Sequence, residues 1–285
     1  MTEKLLVIGG GLLGCEVARL ARDDFDTYLT YNTNPLEVGG CSSYRLDITK
    51  NLDLIGSLNP DYVVHTAAMT NVDLCEVDRA GAWKVNAAGT RDVAMACEII
   101  GAKLIYISTD YVFDGKKGLY VEADEPSPIN YYGVTKLAGE TFVREICKDY
   151  VIARTSVLYG WNSTRLNFVT WVLEERRNGN KINIVTDQYN SPTYSTSLAE
   201  MTLSIREENG IFHASGSERV SRYDFVMKIA EIFGLDDDLI FPISSDQLDW
   251  KAIRPKDTSL NISKISTFVK PLNVEDGLVA MRDDN

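Results

Sequence analysis

The amino-acid sequence predicts a doubly wound α/β fold, a parallel sheet with helices on both faces. Short apolar runs such as KLLVIG and AKLIYIS alternate with longer amphipathic segments over roughly the first half of the chain. Strands that are apolar throughout are typical of parallel sheets covered on both faces. The alternation weakens beyond residue 156, which indicates a smaller C-terminal lobe packed on the sheet.

The predicted elements follow one another in a regular order. KLLVIG is a buried strand, and LLGCEVARLAR is a helix with Leu13, Val17 and Leu20 on one side. The other predicted strands are DTYLTY, DYVVHTAA, AKLIYIS and the unbroken segment YVIARTSVLYG, and the other helices are centred on GAWKVNAAGTRDVAMACEII, YYGVTKLAGETFVREIC, NFVTWVLEERRNG and RYDFVMKIAEIFG.

A glycine-rich loop joins the first strand to the first helix. GGGLLG has the pattern G-x-G-x-x-G, which in this context lets backbone N–H groups approach a pyrophosphate at the helix N-terminus. The same glycines could simply turn the chain. The candidate cofactor-binding residues of the loop are Gly9, Gly11, Leu12, Leu13 and Gly14. We therefore expect residues 1–156 to form a Rossmann domain that binds NAD(P), and residues 157–285 to form a substrate-binding lobe partly interleaved with it.

The end of the second strand bears on which dinucleotide is bound. An acid there would hold the ribose 2′-hydroxyl of NAD, but the chain reads TYNTN and offers Asn32 instead. An arginine for a 2′-phosphate is also absent, unless Arg45 folds back. The missing acid favours NADPH, with NADH as the alternative. Asp47 and Ile48 are candidates for the adenine end, although Asp47 is equally well explained as a polar residue at a helix N-terminus near Thr49.

Three polar side chains lie near one predicted strand end: one directly follows the buried strand AKLIYIS, and two belong to the next predicted helix. Thr109 lies in ISTDYVFDG, where the carboxyl end of a parallel strand faces the ligand crevice. Tyr132 and Lys136 are four residues apart in NYYGVTKLAGE, so a helix places them on one face. A phenol beside an ammonium is a candidate proton donor with a lowered pKa. The alternative is an ordinary exposed helix pair.

The sequence resembles the extended short-chain dehydrogenases/reductases, whose hallmark is Ser/Thr followed by Tyr-x-x-x-Lys. It is most similar to the dTDP-4-dehydrorhamnose reductases and to the related regulatory subunit of methionine adenosyltransferase. The resemblance runs nearly end to end, through HTAAMTNVDLCE, VNAAGT, STDYVFDG, YGVTKLAGE, DQYNSPTY and IRPKDTSL.

The resemblance implies a role for each matched residue. Tyr132 donates a proton to the substrate carbonyl as hydride arrives, Lys136 lowers the pKa of the tyrosine and binds the nicotinamide ribose, and Thr109 holds the carbonyl oxygen. Asn86 positions the site indirectly. Further implied contacts are Ala67, Ala68 and Ser108 for the cofactor, and Thr70, Asp110, Tyr111 and Arg254 for the substrate. Arg254 suits a diphosphate, but an ion pair with a neighbouring acid is an equal alternative.

Two positions depart from the family pattern. Ile8 stands where the usual loop has its first glycine, and Gly9 compensates. Val157 stands where rhamnose-forming reductases carry tryptophan, whereas the regulatory subunits carry an aliphatic residue. The resemblance implies NAD(P)H-dependent reduction of a nucleotide-linked 4-ketosugar, foremost dTDP-4-dehydro-L-rhamnose to dTDP-L-rhamnose. The alternatives are a cofactor-binding regulatory subunit of a methionine adenosyltransferase and a nucleotide-sugar epimerase or dehydratase.

The composition narrows the classes of partner. The 285 residues carry a net charge of −12, so the overall field repels nucleic acid and anionic lipid. Five scattered cysteines without a Cys-x-x-Cys motif, and only two histidines, indicate reduced thiols and no metal site. No apolar run is long enough to cross a membrane. We therefore expect a cytoplasmic protein whose partner is a nucleotide-diphosphate sugar, and the sequence allows a homodimer.

Overall fold

The computed structural model describes residues 2–161 and 165–284. Its strands are β1 (Lys4–Ile8), β2 (Asp26–Tyr31), β3 (Ser42–Arg45), β4 (Tyr62–His65), β5 (Lys103–Thr109), β6 (Tyr150–Thr155), β7 (Leu158–Tyr159), β8 (Ile182–Val185), β9 (Tyr189–Asn190), β10 (Thr193–Tyr194), β11 (Gly210–His213), β12 (Val220–Ser221) and β13 (Ile240–Ile243). Its α-helices are α1 (Leu12–Ala21), α2 (Asp53–Leu58), α3 (Val72–Val77), α4 (Arg79–Ala82), α5 (Thr90–Ile100), α6 (Tyr131–Ile146), α7 (Phe168–Arg177), α8 (Ser195–Ser204), α9 (Arg222–Phe233) and α10 (Val274–Asp283). A π-helix, Trp83–Gly89, joins α4 to α5.

Seven parallel strands form the main sheet in the order β11-β6-β5-β4-β1-β2-β3. The chain winds from β1 to β3 in one direction and then returns past β1 to β4, so the strand order reverses between β1 and β4. Loops that leave the carboxyl ends of these two strands diverge and open a crevice, which is where doubly wound folds bind ligands. The doubly wound α/β prediction is confirmed.

Apolar side chains cover both faces of the sheet. On one face Leu13 and Val17 of α1 pack with Leu198 and Met201 of α8. On the other face α2, α5 and α6 cover the strands, and Val93 belongs to that second core. Among the helices of the described residues, none combines the length and apolar character that a membrane crossing needs.

The C-terminal part of the chain builds a third core but also returns to the sheet. Helices α7, α9 and α10 pack around Val172, Phe225 and Leu278, with β8 and β13 paired beside them. Strand β11 meanwhile pairs with β6 at the edge of the main sheet, from Gly210 opposite Val151 onward. The division at residue 156 and the interleaving that accompanied it stay predictions, while β11 pairs with the main sheet and α8 packs on it.

One local prediction was wrong, and one strand was missed. YVIARTSVLYG is not one strand, because Val157 has φ +40° and turns the chain out of the sheet between β6 and β7. Such a backbone is unusual for a β-branched residue and costs energy. Strand β3 was not predicted because its sequence, SSYR, is mostly exposed and lacks the apolar pattern on which strand prediction depends.

A buried ion pair joins the carboxyl half of the sheet to α6. The carboxylate of Glu140 accepts hydrogen bonds from Arg154 Nε at 2.9 Å and Nη2 at 2.7 Å, and from Ser108 Oγ at 2.5 Å. The side chains of Glu140 and Arg154 are only 2% exposed. The pair therefore ties α6 to β5 and β6 directly below the ends of those strands.

Substituting Glu140→Gln should lower the free energy of unfolding by about 3–5 kcal/mol, because it leaves a buried guanidinium without its counter-charge. Urea unfolding followed by circular dichroism measures the change. Asp149→Asn is the control: it breaks the Lys103–Asp149 pair, whose carboxylate is 60% exposed, and should cost less than about 1 kcal/mol. Equal small losses for both variants would contradict the interpretation.

Candidate active site

The glycine loop after β1 is shaped by two close approaches that only glycine allows. Gly9 has φ +110°, and a Cβ there would lie 2.7 Å from the backbone nitrogen of Ala67. A Cβ on Gly14 would lie 1.9 Å from the carbonyl oxygen of Gly9. Gly11 differs, since its φ is −85° and a Cβ there would meet no protein atom within 4 Å. Its open side faces away from the protein, as a loop that cradles a ligand requires.

Leu12, Leu13 and Ile48 surround this loop without presenting reactive groups. Leu13 and Ile48 are buried in the two sheet cores, and Leu12 is half-buried. The backbone of these residues, rather than their side chains, is what they could offer to a cofactor. Their assignment to the cofactor stays a prediction.

Asn86 fixes the loop that follows β4. Its Oδ1 accepts from Met69 N at 2.8 Å, and its Nδ2 donates to Met69 O at 3.0 Å and to Thr135 Oγ1 at 3.1 Å. The residue is fully buried within the π-helix, a helix type that often marks functional sites. The loop that it holds carries the half-buried Ala67 and Ala68 beside Gly9, and the exposed Thr70. Asn86 thus holds this loop against α6, and its indirect role in positioning the site stays a prediction.

Thr109, Tyr132 and Lys136 meet at the carboxyl end of β5. The hydroxyl of Thr109 is close enough to the Tyr132 phenol for a hydrogen bond that lowers the pKa of the phenol. The Tyr132 ring stands edge-on to Tyr111, with ring centroids 6.0 Å apart. Lys136 Nζ is buried, donates to Ile107 O at 2.7 Å and lies 4.1 Å from the centre of the Tyr106 ring. The structure therefore brings the three predicted catalytic side chains to one strand end.

Helix α6 directs its two tyrosine side chains to different surroundings. Asn130 caps the helix by accepting from Gly133 N at 2.9 Å. The Tyr131 ring turns the other way and packs under the guanidinium of Arg79, 5.0 Å from its carbon. Only Tyr132 therefore faces Thr109 and the crevice.

The electrostatics differ from expectation at Tyr132. Burial raises the pKa of its phenol above the ordinary value, against a smaller lowering by the hydrogen bond with Thr109. Burial also lowers the pKa of Lys136 to about 7, and the carboxylate of Glu140 opposes that shift. The pKa of the phenol is raised and not lowered in the free chain, because removal from water dominates at both groups, and a lowering by Lys136 stays a prediction. The phenol stays protonated at neutral pH, which suits a proton donor.

Arg45 folds back onto the end of β2. Its Nε donates to the carbonyl oxygen of Asn32 at 3.1 Å, and the side chain is exposed. The guanidinium thus stands where a ribose 2′-substituent is expected, in place of the missing acid. Asp47 accepts from Thr49 N at 3.0 Å and Thr49 Oγ1 at 2.8 Å, and these bonds lower its pKa. Its carboxylate therefore caps a turn ahead of α2, which begins at Asp53, rather than the helix N-terminus that was the alternative, and its contact with adenine stays a prediction.

Several predicted ligand contacts are engaged within the protein. Asp110 accepts from Thr109 Oγ1 at 3.1 Å, from Ser156 Oγ at 2.7 Å and from Thr258 Oγ1, and burial raises its pKa. Ser108 donates to Glu140 at 2.5 Å instead of pointing into the crevice. These two side chains are buried and bonded within the protein in the free chain, and their assignment as ligand contacts stays a prediction.

Arg254 has a protein partner in the free chain. Its Nη2 pairs with Asp73 Oδ2 at 2.9 Å, and its Nη1 donates to Ala252 O at 3.1 Å. The ion pair, which was the alternative reading of this arginine, is therefore present. A diphosphate that bound Arg254 would have to share the guanidinium with Asp73 or displace the Asp73 carboxylate.

Sequence reasoning missed Glu140 and Arg222. Glu140 lies four residues beyond Lys136, a spacing that places both on one helix face and could have drawn attention to it. Arg222 gave no local signal, because its neighbours in space, Phe168 and Tyr111, are far away in the sequence.

Substituting Gly11→Val should weaken NADPH binding about tenfold or more while the protein remains folded, because the added side chain fills ligand space and meets no protein atom. Quenching or enhancement of NADPH fluorescence gives the dissociation constant, and thermal unfolding checks the fold. Gly56→Val is the matched control, since Gly56 is exposed on α2 and also has nothing within 4 Å. Unchanged affinity in folded Gly11→Val would remove the loop from the site.

The chain matches a known protein family and is similar to known proteins over most of its length. The family model of the RmlD substrate binding domain matches residues 3–284. The chain is 34% identical over 264 residues to the probable low-salt glycan biosynthesis reductase Agl14 of Haloferax volcanii, covering 90% of this chain and 88% of the relative. It is 35% identical over 224 residues to methionine adenosyltransferase 2 subunit beta of Rattus norvegicus, covering 75% and 67%.

A solved structure agrees over the whole length. The dTDP-4-dehydrorhamnose reductase of Bacillus anthracis, crystallised in complex with NADP, superposes with a TM-score of 0.90 at 32% identity and covers 100% of both chains. The glycine loop, the strand order and the Thr–Tyr–Lys group occur here within a match that extends from end to end. The chain therefore belongs to the RmlD substrate-binding domain family, the family of the dTDP-4-dehydrorhamnose reductases.

Proposed function

We propose that the protein is an NADPH-dependent reductase of a nucleotide-linked 4-ketosugar, foremost dTDP-4-dehydro-L-rhamnose. The observation that carries the proposal is the meeting of Thr109, Tyr132 and Lys136 at the end of β5, across the switch point from the glycine loop. A dinucleotide held by that loop would supply a hydride from nicotinamide. The residues of this chain would bind the sugar, orient its carbonyl group and deliver the proton.

Each side chain has a task that its surroundings support. Tyr132, protonated because burial raises its pKa, donates its phenol proton to the carbonyl oxygen as the oxygen gains charge. Thr109 orients the same oxygen. Lys136 is held below β5 by Ile107 O and has two further N–H donors, which suit the ribose hydroxyls of the cofactor. Burial of the ammonium becomes less costly once those hydroxyls and the phenol surround it.

A cofactor-binding regulatory subunit is the second candidate, because the chain is 35% identical to methionine adenosyltransferase 2 subunit beta and carries Val157 where the resemblance to rhamnose-forming reductases implies a tryptophan. A subunit of that kind could keep the glycine loop without needing an intact proton donor. The complete Thr–Tyr–Lys group favours the enzyme. Oxidation of NADPH by the purified protein with dTDP-4-dehydro-L-rhamnose, followed by absorbance, decides between the two.

Arg45→Met should remove the preference for NADPH over NADH. The exposed guanidinium at the end of β2 is placed to pair with a 2′-phosphate, so its loss should lower kcat/KM with NADPH about tenfold or more and leave kcat/KM with NADH within about twofold. Arg91→Met is the control, since Arg91 is paired with Asp92 on the exposed side of α5. An unchanged NADPH to NADH ratio would show that Arg45 does not read the phosphate.

Tyr132→Phe should lower kcat by about a hundred- to ten-thousand-fold and leave the affinity for NADPH nearly unchanged, since the proton is needed only as the alkoxide forms. Tyr131→Phe is its matched control, because that ring packs on Arg79 and faces away from Thr109. Turnover at saturating ketosugar measures both variants. Full activity of Tyr132→Phe, or a greater loss in Tyr131→Phe, would show that the acid is misassigned.

A further inference from the structure

Strand β5 supplies two contacts to the ammonium group of Lys136. The Nζ atom lies 4.1 Å from the centre of the Tyr106 ring and donates to Ile107 O at 2.7 Å. Successive side chains of a strand point to opposite faces. Accordingly, Tyr106 packs in the core that α6 covers, and Ile107 packs in the core that α1 covers. An aromatic face and a carbonyl oxygen from adjacent residues thus converge on one cation.

The Tyr106 ring is held in place by its own packing. The residue is fully buried, and its ring centroid lies 5.5 Å from that of His65. The hydroxyl ends against Gly139, where a Cβ would lie 2.5 Å from the tyrosine oxygen. Within the ranges that the structure describes, this hydroxyl forms no hydrogen bond of ordinary geometry. The aromatic face, not the hydroxyl, is therefore what the residue offers to its surroundings.

Lys136 is an ammonium that burial has removed from water, since the residue is only 3% exposed. The carboxylate of Glu140 opposes the lowering of the Lys136 pKa, but it is also bonded to Ser108 and Arg154. His65 adds no competing charge at neutral pH, because burial lowers its pKa to about 3. The titratable groups of the surrounding elements include Tyr132 and Glu140 of α6, His65 of β4, Tyr106 of β5, Arg154 of β6, Cys75 of α3 and Asp110 after β5.

We propose that Tyr106 is a positioning residue for Lys136, and that the face of its ring holds the ammonium in place and in its charged form. The negative face of an aromatic ring attracts a cation, most strongly where both groups are out of water. The ring takes none of the N–H donors as a hydrogen bond would, so the two that Ile107 leaves stay free. For its effect on turnover, this role rests on the proposed function.

Replacing Tyr106 with phenylalanines that carry none, one, two or three fluorines tests the ring face with little change of shape. Each fluorine withdraws electrons from the ring, so the attraction for a cation falls stepwise. The Lys136 pKa, measured by NMR of isotope-labelled lysine side chains with Lys136→Met to assign the signal, should stay near that of wild type in Tyr106→Phe. It should then fall by about one unit over the fluorinated series.

The control is the trifluorinated residue placed at Phe225, which is buried in the C-terminal core and should leave the Lys136 pKa unchanged. Thermal unfolding checks each variant. A single fluorine in the place of the hydroxyl fits the space beside Gly139, so the comparison with Tyr106→Phe is kept if a more heavily fluorinated variant unfolds. A role in packing alone predicts no graded change of the Lys136 pKa.

Turnover separates this proposal from the proposed function. Activity that needs the ammonium is complete below the Lys136 pKa and is lost as the pH rises through it. The alkaline limb of kcat/KM for the ketosugar should therefore move to lower pH by the same amount as the Lys136 pKa. A graded fall of that pKa in a protein without ketosugar turnover would support the role of Tyr106 and contradict only the reductase. A Lys136 pKa that is equal across the series, or that falls as far with the change at Phe225, would overturn the role of Tyr106.

Discussion

The arrangement of the site depends on one buried carboxylate, that of Asp110. It accepts hydrogen bonds from hydroxyl groups in three separate parts of the chain: Thr109 at the end of β5, Ser156 after β6 and Thr258 in the C-terminal segment. A buried acceptor satisfied in this way is costly to disturb, since loss of any donor leaves it short of a partner. Asp110 thereby fixes Thr109, the threonine proposed to hold the carbonyl group, and joins the lobe to the sheet at the same point.

A second group of buried charges lies below the crevice. Lys136, Glu140 and Arg154 are each at most 3% exposed, and they are linked to β5 through Ile107 and Ser108. Buried charges are weak contributors to stability, because removing them from water costs about as much as their attraction returns. Their value here is geometric and electrostatic. The carboxylate of Glu140 counteracts the lowering of the Lys136 pKa, and Arg154 keeps that carboxylate in place.

The sequence was sufficient to predict those parts of the fold and site that a local residue pattern determines. Continuous apolar strands predicted the parallel sheet, and the spacing of Tyr132 and Lys136 predicted that both lie on one face of a helix. Pattern reasoning failed where distant residues decide: β3 is exposed and pairs only because β2 offers an edge, and the turn at Val157 has no local sequence signal. The stacking of Arg222 on Phe168 escaped notice for the same reason, since only the fold brings these distant residues together.

The return of the chain at β11 has a consequence for its synthesis on the ribosome. When residues 1–156 have emerged, β6 has an open edge and α1 lacks the cover that Leu198 and Met201 of α8 later provide. Unpaired strand edges and uncovered apolar faces promote aggregation in partly made chains. The nascent protein stays in this vulnerable state until about residue 213 has emerged, when β11 can close the sheet. The dinucleotide-binding half is therefore not a unit that translation completes first.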